Sequence, residues 1–252
     1  MSNRVNHFDF KTEVALGRVY GFETWNKFGY NADVDSAATE IIASWGGAFT
    51  YLTTASTLSV VSTSIQDDTG GTGAISIIIY GVNSANAHII EVLALDGTTP
   101  VTTANSYFGV NRLSVYQTGT GTGNAGTINV TATTGGSQQA QMPAGDGTTQ
   151  QAILHVGANK TFLMDDLWVN ANKISGGGTP VVTIKGYAYA RVTSALYEVF
   201  RKTMDTGVEN TFHYNNGEPF IIAQNQILYF TATTNVNDTA VSLRFSGMLC
   251  NS

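Results

Sequence analysis

The sequence predicts an all-β protein, specifically an antiparallel β-sandwich of the jelly-roll kind with an extended N-terminal arm. From Ala48 onward, short runs of β-branched and aromatic residues are separated by clusters of Gly, Asn, Asp and Thr. This spacing is typical of sandwiches and barrels. The 27 glycines and 4 prolines fit the same class, because glycine supplies the positive φ angles of many tight turns.

The individual strands are predicted from these runs. Residues 75–80 end at Gly81, and residues 89–95 end at Asp96-Gly97, a dipeptide typical of hairpin turns. Further runs of the same composition predict strands at 58–62, 112–116, 127–132, 152–156, 161–164, 166–170, 181–185, 187–192, 227–232 and 241–245.

Two segments are compatible with a helix. Residues 36–45 follow Asp35, a possible N-cap, and precede Gly46-Gly47, so a short helix is predicted there. Residues 195–204 fit helical periodicity and strand alternation equally well, and the surrounding strands favour a strand.

The domain prediction is an N-terminal arm at residues 1–34 and one β-sandwich body at residues 35–252. The arm concentrates charge and aromatic residues without strict alternation, so it should dock on its own body or on a neighbour. Residues 135–149 are predicted to be a long loop. Two stacked β-lobes divided near 135–150 are the alternative to a single body.

Charge and composition limit the classes of partner that the protein is expected to bind. Only 12% of the 252 residues are charged, against about 25% in an average soluble domain. Neutral polar groups are cheaper to desolvate than ions, which suits a surface that becomes an interface. The net charge of −6 and the scattered basic residues argue against nucleic acid as a partner. No secretion leader or membrane span is predicted, so no membrane partner is expected.

Motifs that could carry chemistry lack the required context. Gly121-x-Gly123-x-x-Gly126 matches the dinucleotide fingerprint, but a strand follows it where the motif needs a helix. No pair of histidines has zinc-ligand spacing, and Cys250 has no intrachain partner. Neither cofactor nor metal is therefore predicted. The aspartate pairs lack calcium-loop spacing and are expected to form turns; they lie at positions 33 and 35, 67 and 68, and 165 and 166.

Catalysis is not predicted either. No Gly-x-Ser-x-Gly elbow occurs, and acidic clusters suited to glycoside cleavage are scarce. Carbohydrate binding is the stronger alternative, because an exposed tryptophan on a sheet can stack on a sugar ring. Trp45 and Trp168 are the candidates, although half-buried core positions are favoured for both.

The first half of the chain resembles a family of virion structural proteins of tailed bacteriophages. The resemblance is clearest over residues 27–128 and rests on 27–35, 62–74, 79–83, 91–103, 111–116 and 119–128. It implies a capsid-decorating, head-fibre or tail-associated subunit, and no catalytic residues transfer with it.

The function expected from these observations is a capsid decoration or cement protein of the virion, assembled in the cytoplasm of the host bacterium. Its expected partners are itself, as a dimer or trimer, and the major capsid protein or other virion subunits. A tail or head-fibre protein that attaches to host glycans is the alternative. The arm is predicted to make the contacts through its aromatic residues, Phe8, Phe10, Tyr20, Phe22, Trp25 and Phe28.

Overall fold

The computed structural model describes residues 9–36, 38–215 and 218–252. Strands account for 56% of the structure and helix for 2%, and the sheets are antiparallel. The predicted all-β, antiparallel class is therefore confirmed. Phe8 lies outside the described residues.

A short helix, α1 (Phe10–Ala15), precedes the strands in the described chain. The strands are β1 (Phe22–Val34), β2 (Glu40–Ile41), β3 (Leu58–Ser62), β4 (Ala74–Asn83), β5 (His88–Ala94), β6 (Val101–Thr102), β7 (Tyr107–Thr118), β8 (Ile128–Ala132), β9 (Gln138–Met142), β10 (Ile153–His155), β11 (Lys160–Lys173), β12 (Val181–Ala190), β13 (Ala195–Asp205), β14 (Thr211–Tyr214), β15 (Phe220–Ile222), β16 (Gln226–Thr234) and β17 (Thr239–Asn251).

These strands form four sheets. The first sheet has the order β1-β17-β11-β14, with β15 also paired to β11, and the second has the order β10-β16-β12-β13, with β2 paired to β16. The third sheet is β6-β3-β8-β9 and the fourth is β5-β4-β7. The third and fourth sheets are formed by the chain between β2 and β10.

Two separate cores follow from this arrangement. The main core joins the first and second sheets and contains Phe162, Phe230 and Phe245. The second core takes all its buried residues from between Leu58 and Met142, in the third and fourth sheets and the turn after β5. We call residues 58–142 the inserted region, because they have a core of their own and lie between the two parts of the chain that form the main core.

The predicted helix at residues 36–45 is wrong, because β2 and turns occupy the described part of this segment. The Glu40 carboxylate accepts hydrogen bonds from Asn31 Nδ2 at 3.0 Å and from the backbone N–H groups of Asp35 and Gly47 at 2.9 and 3.0 Å. These bonds fix a non-helical loop, and they lower the pKa of Glu40 against the opposing effect of burial.

Residues 22–34 of the predicted arm form β1, a long strand of the first sheet. It pairs with β17 from Phe22 opposite Cys250 to Val34 opposite Thr239. Inward positions of β1 include the polar residues Lys27 and Asn31, both buried, which explains the missing alternation in the sequence. We therefore use the name arm only for residues 9–21 below.

The arm contains α1 and packs on the first sheet. Asp9 caps the helix by accepting hydrogen bonds from Thr12 N and Oγ1 at 3.2 and 2.6 Å. The Phe10 ring meets the Phe22 ring edge to face at 5.3 Å between centroids. Lys11 Nζ lies 2.7 Å from Asp165 Oδ2, so an ion pair, an aromatic contact and the buried side chain of Val14 hold the helix.

The glycine-rich loops of the inserted region pack around a buried carboxylate. Asp67 is fully buried, and its oxygens accept hydrogen bonds from Ser62 Oγ at 2.6 Å and Ala74 N at 2.7 Å. They also accept from the N–H groups of Ala125 and Gly126 at 2.7 and 2.8 Å. Gly121 and Gly126 of the dinucleotide-like motif allow close packing of the loops, since a Cβ there would lie 2.5 Å from Thr72 O and 2.6 Å from Ser64 N, respectively. The chain continues into β8 as predicted.

Two further segments test the strand predictions. Residues 195–204 form a strand, β13, as predicted. The predicted loop at 135–149 is wrong in part, because it contains β9. Gln139 is buried there and donates from Nε2 to the Thr50 carbonyl at 3.1 Å. The polar sequence of this segment therefore gave no sign that it forms a buried strand.

Candidate interaction surface

The outward face of the first sheet carries a row of large side chains across four strands. The pairing register places Phe28 opposite Arg244, Arg244 opposite Trp168, and Trp168 opposite His213. Both neighbours of Arg244 in the chain, Leu243 and Phe245, belong to the main core. Because successive side chains of a strand point to opposite faces, the row points away from that core. We call these four residues the aromatic row.

Ring stacking and a hydrogen bond organise one end of the aromatic row. The Trp168 and His213 rings stack at 3.9 Å between centroids with planes 16° apart. His213 Nε2 lies 2.7 Å from Asp166 Oδ1, which fixes the imidazole beside the indole. Trp168 is still 44% exposed and Phe28 is 46% exposed, so much of their apolar surface faces solvent.

Arg244 lies between the two exposed aromatic residues. It is exposed, and within the described ranges no hydrogen bond or ion pair involves its guanidinium. Its five N–H donors are therefore free for a partner.

The rows on either side of the aromatic row are polar and differ in charge. One flanking row is neutral, comprising Tyr30, Ser242, Asn170 and Thr211. The other carries a carboxylate and comprises Asn26, Ser246 and Asp166, and a largely apolar row of Thr24, Met248, Leu163 and Ile221 lies beyond it. The surface thus combines exposed aromatics and one arginine, residue types enriched at the centres of protein–protein interfaces, with polar flanks.

The arm borders this face at one end. Lys11 of α1 shares a cleft of about 120 Å³ with Asp165 and Arg244 of the sheet. Phe10 remains 51% exposed and Tyr20 is 96% exposed. The arm therefore adds two more uncovered aromatic rings beside the sheet.

The residues predicted as contacts are distributed unequally. Phe10 and Phe22 come together, Phe28 joins the aromatic row, and Tyr20 is almost fully exposed. Trp25 is partly buried against the main core and meets His88 edge to face at 5.7 Å.

Sequence reasoning missed Arg244 and His213. It favoured a half-buried core position for Trp168 over a sugar platform, and the core position is wrong, because Trp168 is 44% exposed on the outward face. Alternation in residues 241–245 assigns Arg244 to the side opposite the core, but the pairing register that aligns it with Trp168 is not visible in the sequence. The other candidate, Trp45, is partly buried against a third cluster that includes Ile41 and Tyr229.

A group of buried basic residues lies at the junction with the inserted region. Lys27 Nζ donates to the Asn111 carbonyl, and burial, with a smaller effect of nearby Arg112, holds the pKa of Lys27 well below its usual value. His155 Nδ1 contacts an Arg191 Nη2, and burial, followed by the charge of Arg191, holds the pKa of His155 well below its usual value. The junction therefore favours the neutral form of the His155 imidazole.

The described residues form neither a metal-binding cluster nor a membrane-spanning helix. In that part of the chain, no group of three or more His, Cys, Asp or Glu residues is arranged to hold a metal ion. Its helical content also includes no segment of the length and apolar character required to span a bilayer.

Comparisons with known proteins identify no family. No family model matches the sequence, and no curated protein matches it. One solved structure, described as the 2.6 Å structure of infectious bursal virus derived T=1 particles, is similar over 91% of this chain and 69% of that chain. The two share 9% identity with a TM-score of 0.25, a value too low to support an inference about fold or function.

Proposed function

We propose that this protein is a non-enzymatic structural subunit of a tailed-phage virion, and that it decorates and stabilises the assembled head. The observation that carries the proposal is the uncovered aromatic row, with Trp168 and Phe28 nearly half exposed on either side of Arg244. The sequence resemblance to phage virion proteins supports the same class. Within this proposal, the first and second sheets form a sandwich of the jelly-roll type.

The chemistry of the face favours association over catalysis. Tryptophan and arginine are the residues most enriched at interface hot spots, and the neutral flanking row is cheap to desolvate. The adjacent carboxylates each have a basic partner, since Asp165 pairs with Lys11 and Asp166 with His213. Two carboxylates engaged in this way are poorly placed for glycoside cleavage, which needs a free acid and a free base or nucleophile.

Self-association would strengthen binding to a symmetric shell. A dimer or trimer that contacts several capsid subunits gains from effective concentration, so modest single contacts give a long-lived complex. The exposed rings of Phe10 and Tyr20 on the arm add contact area beside the aromatic row.

The test is binding of purified protein to phage heads assembled without it. We expect Trp168→Ala combined with Arg244→Ala to weaken binding by about thirtyfold or more, the effect of losing one hot spot or more. Tyr197→Ala is the matched control, because Tyr197 is exposed on β13 of the second sheet, away from the aromatic row. Equal binding by the double variant and the control would refute the role of this face.

A head-fibre or tail protein that attaches to host glycans is the second candidate function. The observation that favours it is a polar groove with aromatic walls beside β1. Its chemistry differs from that of the aromatic row and it can be tested separately.

A further inference from the structure

A groove runs between β1 and the fourth sheet. It consists of two clefts of about 220 and 250 Å³ that share Asn26 and Arg112 as walls. Together they fall within the range of about 300–1,000 Å³ typical of ligand sites. The cleft of about 220 Å³ is also lined by Thr24, Trp25 and Tyr80.

Arg112 joins the two sides of the groove. One of its terminal nitrogens donates to the Asn26 carbonyl at 2.8 Å, and its neighbour across the fourth sheet is Tyr80. The guanidinium is thus fixed in place with other N–H donors left for a ligand.

The remaining polar side chains of the cleft walled by Trp25 and Tyr80 have no internal partners among the described residues. Across the described residues, the Thr24 hydroxyl, the Asn26 amide and the Tyr80 hydroxyl make no hydrogen bond to protein. They line the same cleft as the indole of Trp25. Donors and acceptors therefore surround aromatic surface in a concave site open to solvent.

We propose that this groove binds a short oligosaccharide. Sugars present apolar C–H faces that pack on Trp and Tyr rings, and they present hydroxyl groups that pair with amide, hydroxyl and guanidinium groups. The described lining includes no Asp or Glu, so the site has groups for binding and lacks the carboxylate pair needed for cleavage.

The charge of the groove selects the class of saccharide. Arg112 is the cation that faces the clefts with free donors, whereas Lys27 is buried and donates to the Asn111 carbonyl. A planar guanidinium matches a carboxylate in a bidentate geometry. The groove is therefore expected to prefer acidic oligosaccharides that contain uronic acid over neutral ones.

Titration calorimetry of the full chain with trigalacturonate and with maltotriose tests the inference. We expect trigalacturonate to bind more tightly than maltotriose, and Tyr80→Phe and Asn26→Ala each to weaken it by roughly three- to tenfold, the effect of one lost hydrogen bond. Neither substitution removes the Asn26 carbonyl that Arg112 uses. Tyr116→Phe, on an exposed tyrosine of the same sheet, is the control and should bind as the wild type does.

Three results would overturn the proposal: no binding of either saccharide at millimolar concentration, binding that Tyr80→Phe and Asn26→Ala leave unchanged, or equal affinity for the two saccharides, which would refute the acidic preference. The inference does not rest on head decoration, because the Tyr80→Phe variant alters the fourth sheet and should bind phage heads normally. Loss of head binding by the Trp168 and Arg244 variant has no bearing on the saccharide titration, so the two proposals fail separately.

Discussion

The outward faces of the first and second sheets both carry large aromatic residues, but the chain covers only one of them across its described length. On the second sheet, Tyr51 stacks on Tyr189 at 3.8 Å and Phe49 lies 5.3 Å from Tyr229, measured between ring centroids. These rings form a third core cluster with Ile41 and its neighbours. On the first sheet, Phe28 and Trp168 have no such cover.

This difference indicates that the covered face stabilises the fold and that the open face is available for association. Aromatic rings buried by their own chain contribute to folding, whereas rings left open in a row beside an unpaired arginine retain their apolar surface for a partner. Composition alone does not distinguish the two faces. The segment that follows β2 and crosses the second sheet makes the difference.

The largest expected effect comes from removing β1, which edges the open face. Deleting residues 1–34 should abolish cooperative unfolding, because it removes a strand that pairs along most of β17 and uncovers the main core. Circular dichroism during heating measures this. The matched control is deletion of residues 1–21, which spares β1 and should leave a cooperative transition. A folded product from the longer deletion would show that β1 is dispensable.

Truncating a ring on the covered face should cost stability without affecting binding. We expect Phe49→Ala to lower the free energy of unfolding by about 2–3 kcal/mol, somewhat less than for a fully buried phenylalanine, because Phe49 contacts Tyr51, Tyr229 and His155. Urea denaturation gives the value. Binding to phage heads should equal that of the wild type, and a selective loss of binding would contradict the division between the faces.

The buried junction behind β1 should make stability depend on pH. The charged and titratable groups that face His155 are Arg191, Lys27 and His88, and burial also lowers the pKa of His88. An unfolded histidine takes up a proton near pH 6.5, whereas the folded His155 resists it. The contribution of His155 and His88 to the free energy of unfolding is therefore fully present above about pH 6.5. It falls as the pH drops below that value, by up to about 1.4 kcal/mol per pH unit for each histidine.

Urea denaturation at pH 5.5 and 7.5 measures this dependence. The His155→Gln variant should show a smaller difference between the two values than the wild type. Tyr197→Ala, which alters an exposed side chain of the second sheet, should keep the wild-type dependence. An unchanged slope in His155→Gln would refute the role of the junction.

The smallest expected effect on stability is on the open face. Trp168→Ala should change the free energy of unfolding by less than about 1 kcal/mol, because the indole is 44% exposed and surface substitutions have small effects. The same variant should bind heads weakly. A large loss of stability with intact binding would reverse the roles assigned to the two faces.

Local patterns in the sequence predicted the all-β class and strands such as β13, since alternation and turn residues are local signals. They did not predict β1, where Lys27 and Asn31 face inward because distant groups satisfy them: the Asn111 carbonyl for Lys27, and the Glu40 carboxylate and Ile41 carbonyl for Asn31. The helix expected at 36–45 failed for the same reason, because Glu40 is bonded across the loop.

The candidate site was predictable only in part. Phe28 of β1 was expected to make contacts and lies in the aromatic row. Arg244 follows Phe28 by more than 200 positions in the sequence, and only the β1–β17–β11 register aligns it with Phe28 and Trp168. The groove depends on the same kind of long-range pairing, since Arg112 of β7 bonds to Asn26 of β1. Such juxtapositions come from tertiary structure, on which sequence periodicity carries no information.

Cryo-electron microscopy of phage particles that carry the labelled protein tests the central claim most directly. The account predicts density on the head surface, with the outward face of the first sheet turned toward the shell and Trp168 and Arg244 at the contact. Density with that face turned to solvent, or no density on the particle, would contradict it.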